Sequence, residues 1–250
     1  MTDPDQAAGN AATAFARQLV PRWQAALGGE LLGVYLIGSL AHGGFSRRYS
    51  DVDMAVTAEA GLPPPVLERL RGEAVALSAD WGPKLSVFWA DRHFTGGRFP
   101  PLDCLDYLDR AVVLCERERV EPERPTLDEI RHYLRGAPFT AWADRAGQFA
   151  AAATLDPKDR KAYLRALLYP ARLCLSYLTG AMGSNDDGVA LLRARRVAGL
   201  DLPLIERALQ CRRDAADPDP LFAARDSLPA QVEACAALFA DADVTPRPQL

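Results

Sequence analysis

The chain has 250 residues, 49% apolar and 25% charged, which is ordinary globular composition and room for one large domain or two smaller ones. A net charge of −4 excludes a general basic surface for nucleic acid, although a local patch for a nucleotide stays open. Five cysteines (Cys104, Cys115, Cys174, Cys211, Cys235) form no C-x-x-C pair, and His42, His93 and His132 lack metal-ligand spacing. That argues against a zinc site or disulfide framework and for a reducing compartment.

The first ten residues, MTDPDQAAGN, are acidic and polar, unlike a signal peptide. Phe15, Leu19, Val20, Trp23 and Leu27 predict an amphipathic helix over 11–27, with Pro21 marking a kink or break. Residues 32–38 read as a buried strand, and Leu31 to Gly38, the longest apolar run, is too short to span a membrane. A cytoplasmic protein is expected. Residues 51–57, DVDMAVT, read as a second strand with one end at a polar site. Pro63-Pro64-Pro65 opens a helix with Leu67, Leu70, Ala74 and Leu77 on one face, broken by Gly82-Pro83. Leu85 to Trp89 reads as a third strand. The order is helix, strand, helix, strand, helix, strand around a small sheet.

Residues 92–104 read as loop, and Leu105 to Leu114 as an apolar return to the core. The charged, proline-bearing run from Glu116 to Pro125 marks a domain boundary, the alternative being a surface turn within one domain. Thr126 and Glu129 have capping-box spacing. Helices are predicted at about 126–135, 139–153, 157–179, 186–198, 202–214 and 220–240, with Pro170 kinking the third. Thr245 to Leu250 reads as a loose tail. The fold class is α+β: a small mixed sheet with helices over 1–120, then an all-helical bundle over 126–243.

Chemistry concentrates in GSLAHGGFSRRYSDVDMAV. An apolar strand ends at Gly38-Ser39, and eleven residues later come Asp51 and Asp53. At i and i+2 on a strand those carboxylates point the same way. Such crowding is tolerated when a divalent cation sits between them, and magnesium prefers oxygen ligands together with those of a bound phosphate. Gly-Ser at a strand end offers backbone N–H groups and a hydroxyl to a phosphate. His42, Arg47 and Arg48 in the intervening loop are either phosphate contacts or solvated side chains, and Gly43-Gly44 serves a turn. Residues 97–103 either close over the site or form a connection packed by Phe99 and Leu102, the reading preferred. Trp81, Trp89 and Trp142 are read as core.

Gly-Ser followed at this distance by Ser-Asp-x-Asp, each at its own strand end, resembles the nucleotidyltransferase superfamily. The resemblance implies that Gly38, Ser39 and Ser50 hold the triphosphate of ATP. It also implies that Asp51 and Asp53 are the catalytic carboxylates and ligate Mg2+. Ala171-Arg172 to Thr179-Gly180 is similar to the A-R-x6-T-G helix of the streptomycin and spectinomycin adenylyltransferases. That likeness makes Arg172 a nucleotide contact, and implies a small-molecule acceptor and a role in antibiotic resistance. Three positions depart from the family. Ser86 stands where a third carboxylate acts as general base, with Asp80 and Asp91 flanking that strand and read as surface residues. Asn185 aligns with a triphosphate-binding lysine, and Ala162 with a drug-recognising aspartate. The expected activity is transfer of AMP from ATP to a hydroxyl of an aminoglycoside-like acceptor, with modification of a protein or tRNA as another option. The alternative is a catalytically weakened nucleotide-binding regulatory module.

Overall fold

The computed structural model describes residues 4–244, so the tail expected from Thr245 lies outside the described residues. The chain divides into two units, one ending at Pro125 and the other starting at Thr126. The first carries α1 (Pro4–Leu27), β1 (Leu31–Leu36), α2 (Ser39–His42), β2 (Val52–Ala58), α3 (Pro64–Leu77), β3 (Leu85–Asp91), α4 (Pro101–Arg110) and β4 (Val112–Glu116). The strands form one mixed sheet in the order β3-β2-β1-β4. The β1 strand runs antiparallel to β2 and β4, whereas β2 and β3, joined through α3, are parallel.

Strand β1 is buried along its whole length because it lies inside the sheet with both faces covered. On one face Val34, Leu36, Val52, Met54, Val56 and Val87 pack against Phe15, Leu19 and Trp23 of α1 and Leu70 and Ala74 of α3. On the other, Tyr35, Ile37 and Ala55 pack against Tyr107 of α4, with Phe88, Phe94 and Phe99 alongside.

Several elements differ from expectation. Residues 101–110, divided by the sequence reading between loop and apolar return, form α4. Pro101 stands in its first turn, where a missing N–H costs nothing, with Asp103 near its N-terminus and Arg110 near its C-terminus. The chain then forms β4, a fourth strand that pairs with β1 as a sheet edge. Helix α1 also starts earlier than predicted and runs through Pro21 unbroken. Pro21 and Arg17 are both exposed, so water can take the carbonyl that proline leaves unpaired.

The second unit is helical: α5 (Leu127–Arg135), α6 (Ala137–Ala151), α7 (Arg160–Thr179), α8 (Asn185–Arg195), α9 (Leu202–Arg213) and α10 (Leu228–Val244). Both halves of the Thr126–Glu129 capping box form: the Glu129 N–H donates to Thr126 Oγ1 at 3.2 Å, and the Thr126 N–H to Glu129 Oε2 at 2.7 Å. The stretch predicted as one helix over 220–240 begins instead as a 3-10 segment, Asp219–Ser227, before α10.

Helix α7 is the centre of this unit, with Tyr163, Leu164, Leu167, Leu168, Ala171, Cys174 and Tyr177 buried. It continues through Pro170. Proline there cannot donate to the Ala166 carbonyl, and the Trp142 indole Nε1–H does so instead, at 3.0 Å. Trp142 also stacks on Tyr169, with ring centroids 4.8 Å apart. Trp142→Phe keeps most of the packing and leaves that carbonyl without the indole donor. We expect it to destabilise the second unit by about 1–3 kcal/mol, measured as a lower chemical-denaturation midpoint.

Candidate active site

The Gly-Ser turn and the Asp pair meet at one end of the sheet, where β1 ends and β2 begins. The Ile37 N–H donates to the Asp53 carbonyl at 3.0 Å, so the turn leaves β1 directly beside Asp53. Gly38 has φ 66° and ψ −153°, a backbone region open essentially to glycine alone. A Cβ on Gly38 would stand 2.4 Å from Asp53 Oδ2, so the absent side chain is the space the carboxylate occupies. Asp51 and Asp53 are half-buried while Val52 between them is buried, the alternation expected of two carboxylates sharing one open face.

Ser39 and Ser50 are brought together across the loop. Ser39 Oγ lies 3.0 Å from Ser50 Oγ, which also accepts the Ser46 N–H at 2.9 Å. Ser50 is 3% exposed. It closes the 46–50 turn and holds Ser39. Elsewhere in the loop, Arg48 stacks over Tyr49 and the Arg47 carbonyl accepts from Lys84 Nζ at 2.8 Å. Trp81 packs on Phe45, and Trp89 lies against Gly61.

The register of β2 and β3 places Ser86 directly beside Asp53. Paired residues on neighbouring strands share a face, so Ser86 occupies the row of the Asp pair. Asp91 pairs with Ala58, at the far end of the same two strands, roughly 16 Å away at strand rise. Its carboxylate accepts from the N–H groups of His93 (2.9 Å), Thr95 (3.0 Å) and Gly96 (2.6 Å) and from Thr95 Oγ1 (2.9 Å). Burial pushes its acidity down, but these donors outweigh burial and hold the carboxyl below the usual range. Asp91 therefore organises its own loop, away from the Asp pair. Asp80 is exposed in the turn ahead of β3.

Residues 97–100 pack down. The Arg98 N–H donates to the Trp89 carbonyl at 2.9 Å, and Phe99 rests on Phe88, Phe94 and Tyr107. The Arg119 guanidinium lies 4.3 Å from the Tyr107 ring centroid and 4.9 Å from that of Tyr35. Burial raises both phenols above their ordinary range. It also pushes the Cys104 thiol up to about 11, so this sulfur is protonated at neutral pH and is no nucleophile.

One residue of the site was missed from sequence. Asp106, on α4 and 2% exposed, accepts the Gly38 N–H on Oδ2 at 2.6 Å. The Gly38 amide is thus already engaged, and this glycine contributes the shape of the turn. No local pattern signals a partner 68 residues away.

In the second unit Arg172 is exposed, between buried Ala171 and Leu173 of α7. The Thr179-Gly180 that follows has a structural account. Gly180, at φ 68°, is the left-handed residue that ends the helix, and its N–H donates to the Ser176 carbonyl at 2.9 Å. Asn185 is the first residue of α8, and Ala162 lies in the first turn of α7.

The donors beside Gly38 suit a hard cation: two carboxylates and a serine hydroxyl, all oxygen. Among the described residues no group of three or more His, Cys, Asp or Glu side chains is arranged to hold a metal ion. Two carboxylates make a magnesium shell only with phosphate oxygens and water added. No described helix is long and apolar enough to cross a membrane.

No protein-family model and no curated protein matches the chain. Among solved structures it is similar to spectinomycin adenyltransferase AAD(9) from Enterococcus faecialis, crystallised with ATP and spectinomycin. The identity is 12% and the TM-score 0.60, over 86% of this chain and 97% of that one. In fold, this chain resembles a nucleotidyltransferase: a small mixed sheet bearing the Gly-Ser turn and the Asp pair, and a helical second unit.

Proposed function

We propose that the chain is a magnesium-dependent nucleotidyltransferase that moves AMP from ATP to a hydroxyl of a small, aminoglycoside-like acceptor. The observation that carries this reading is the Gly38 turn, seated against the Asp53 carboxylate with Asp51 on the same face. The solved relative bound both ATP and spectinomycin, which supports a nucleotide donor and a small-molecule acceptor. On this reading residues 1–120 are catalytic and 126–243 form the helical domain. Antibiotic modification, and with it resistance, is the most concrete version.

Asp51 and Asp53 would hold the ion, which supplies neutralisation of charge around the phosphates. Ser39, kept in place by Ser50, would orient the triphosphate. The acceptor oxygen bonds to the α-phosphorus as the bond to the bridging oxygen breaks, and pyrophosphate leaves with that electron pair. The hydroxyl proton passes to water or a base.

The test is incubation with magnesium and α-labelled ATP, GTP, CTP or UTP, with an aminoglycoside panel and a cell extract. The control carries Asp51→Asn and Asp53→Asn together. We expect labelled acceptor and pyrophosphate from ATP with the native chain only. Nucleotide binding with no pyrophosphate from any acceptor would select the binding-module alternative. Ser86→Glu places a carboxylate in the row of Asp53, and a positioned base contributes about 10²–10⁴-fold. Its expected effect is a rise in kcat of about tenfold or more; a fall would mean this row does not face the acceptor.

A further inference from the structure

Gly38 lies between two carboxylates. Asp53 fills the space of its missing side chain, and Asp106 takes its N–H from the other side. The two differ in setting: Asp53 is half-buried in the open row, whereas Asp106 is sealed at 2% exposure. A buried carboxylate is costly unless hydrogen-bonded, and one partner here is the backbone N–H that begins the site turn. Helix α4 is firmly seated, because Tyr107, the next residue, meets Tyr35 edge-on at 5.0 Å and donates its hydroxyl to the Val120 carbonyl at 2.8 Å.

We propose that Asp106 is a positioning residue of the nucleotide site: by holding the Gly38 amide inward, it fixes the turn that orients Asp53 and Ser39. The proposal rests on the nucleotidyltransferase reading above. Glycine has the widest choice of backbone conformation, so the turn needs an external hold, which a side-chain oxygen accepting its N–H supplies. Asp106 acts through Gly38, since its burial keeps it from an acceptor molecule.

The test compares the full chain with Asp106→Asn, which keeps an acceptor oxygen, and Asp106→Ala, which removes it. The first readout is hydrogen exchange of the Gly38 amide by NMR without nucleotide. The second is Mg·ATP affinity by calorimetry, with KM for ATP and kcat measured separately. Native protein and Asp106→Asn are expected to protect the amide, with Asp106→Ala exchanging about tenfold faster or more. Mg·ATP affinity is expected to fall about tenfold in Asp106→Ala and to stay within about threefold in Asp106→Asn, mainly through KM. Should Asp106→Ala not fold, Asp106→Ser takes its place. Equal protection in all variants overturns the proposal. So does an Asp106→Asn as damaged as the alanine variant, because then the charge itself is used. A native chain that binds no Mg·ATP removes the nucleotidyltransferase reading instead, and amide exchange still decides whether Asp106 holds the turn.

Discussion

Asp53→Asn is expected to lower nucleotidyl transfer by about three orders of magnitude or more without destabilising the ligand-free protein. The side chains are nearly isosteric, so the contact with the Gly38 backbone is kept. The change is in charge. An ion at this position supplies several kcal/mol of stabilisation to the reacting phosphates, and each 1.36 kcal/mol lost is about tenfold in rate. Without ligand the sign reverses. Asp51 and Asp53 are like charges on one open face, and removing one relieves a repulsion of about 1 kcal/mol or less in a solvated setting. Melting curves with and without Mg·ATP separate the two effects. The native chain should gain several degrees from Mg·ATP, and Asp53→Asn should gain little, because ligand stabilisation follows occupancy. Transfer retained within tenfold would show that Asp53 is not the seat of the ion.

The parts of this site that rest on local signals were legible in the sequence. The strand that leads into Gly38 and the alternation of Asp51 and Asp53 depend on residues a few positions apart, as does the Thr126 capping box of the second unit, and each is present. Failures came where the deciding contact is distant. Pro100-Pro101 reads as loop, yet Pro101 starts α4. Asp106 carried no signal of its own, and its bond to the Gly38 N–H, 68 residues away, comes only with the fold. Strand β4 gave no alternation because it is a sheet edge with Val112 and Val113 41% and 51% exposed; its pairing with β1 defines it. How α7 meets the proline was likewise hidden: a side chain on another helix, Trp142, donates to the Ala166 carbonyl that Pro170 cannot reach. Ser86 lies between these cases: its place in the third strand was legible, and its position beside Asp53 came only with the register.

Gly38→Ala should act on the same carboxylate from the other side, with the opposite signature in the ligand-free protein. At φ 66° and ψ −153° an L-residue is strained by about 1–3 kcal/mol. The new Cβ would also lie 2.4 Å from Asp53 Oδ2 and 3.1 Å from its Cγ, inside any tolerable contact. Over-packing of this kind costs about 1–3 kcal/mol more unless something moves. The element least able to move is the strand, since Ile37 and Asp53 are tied by a backbone hydrogen bond and Gly38 by Asp106. The Asp53 side chain therefore swings away, and the turn loses the conformation that places Ser39 opposite Ser50. The expected result is a lower melting temperature without ligand, unlike Asp53→Asn, together with loss of Mg·ATP stabilisation and of transfer by about a hundredfold or more. If Gly38→Ala melts normally and keeps its activity, the turn has an alternative conformation, and the close packing of Gly38 on Asp53 is not what holds the site together.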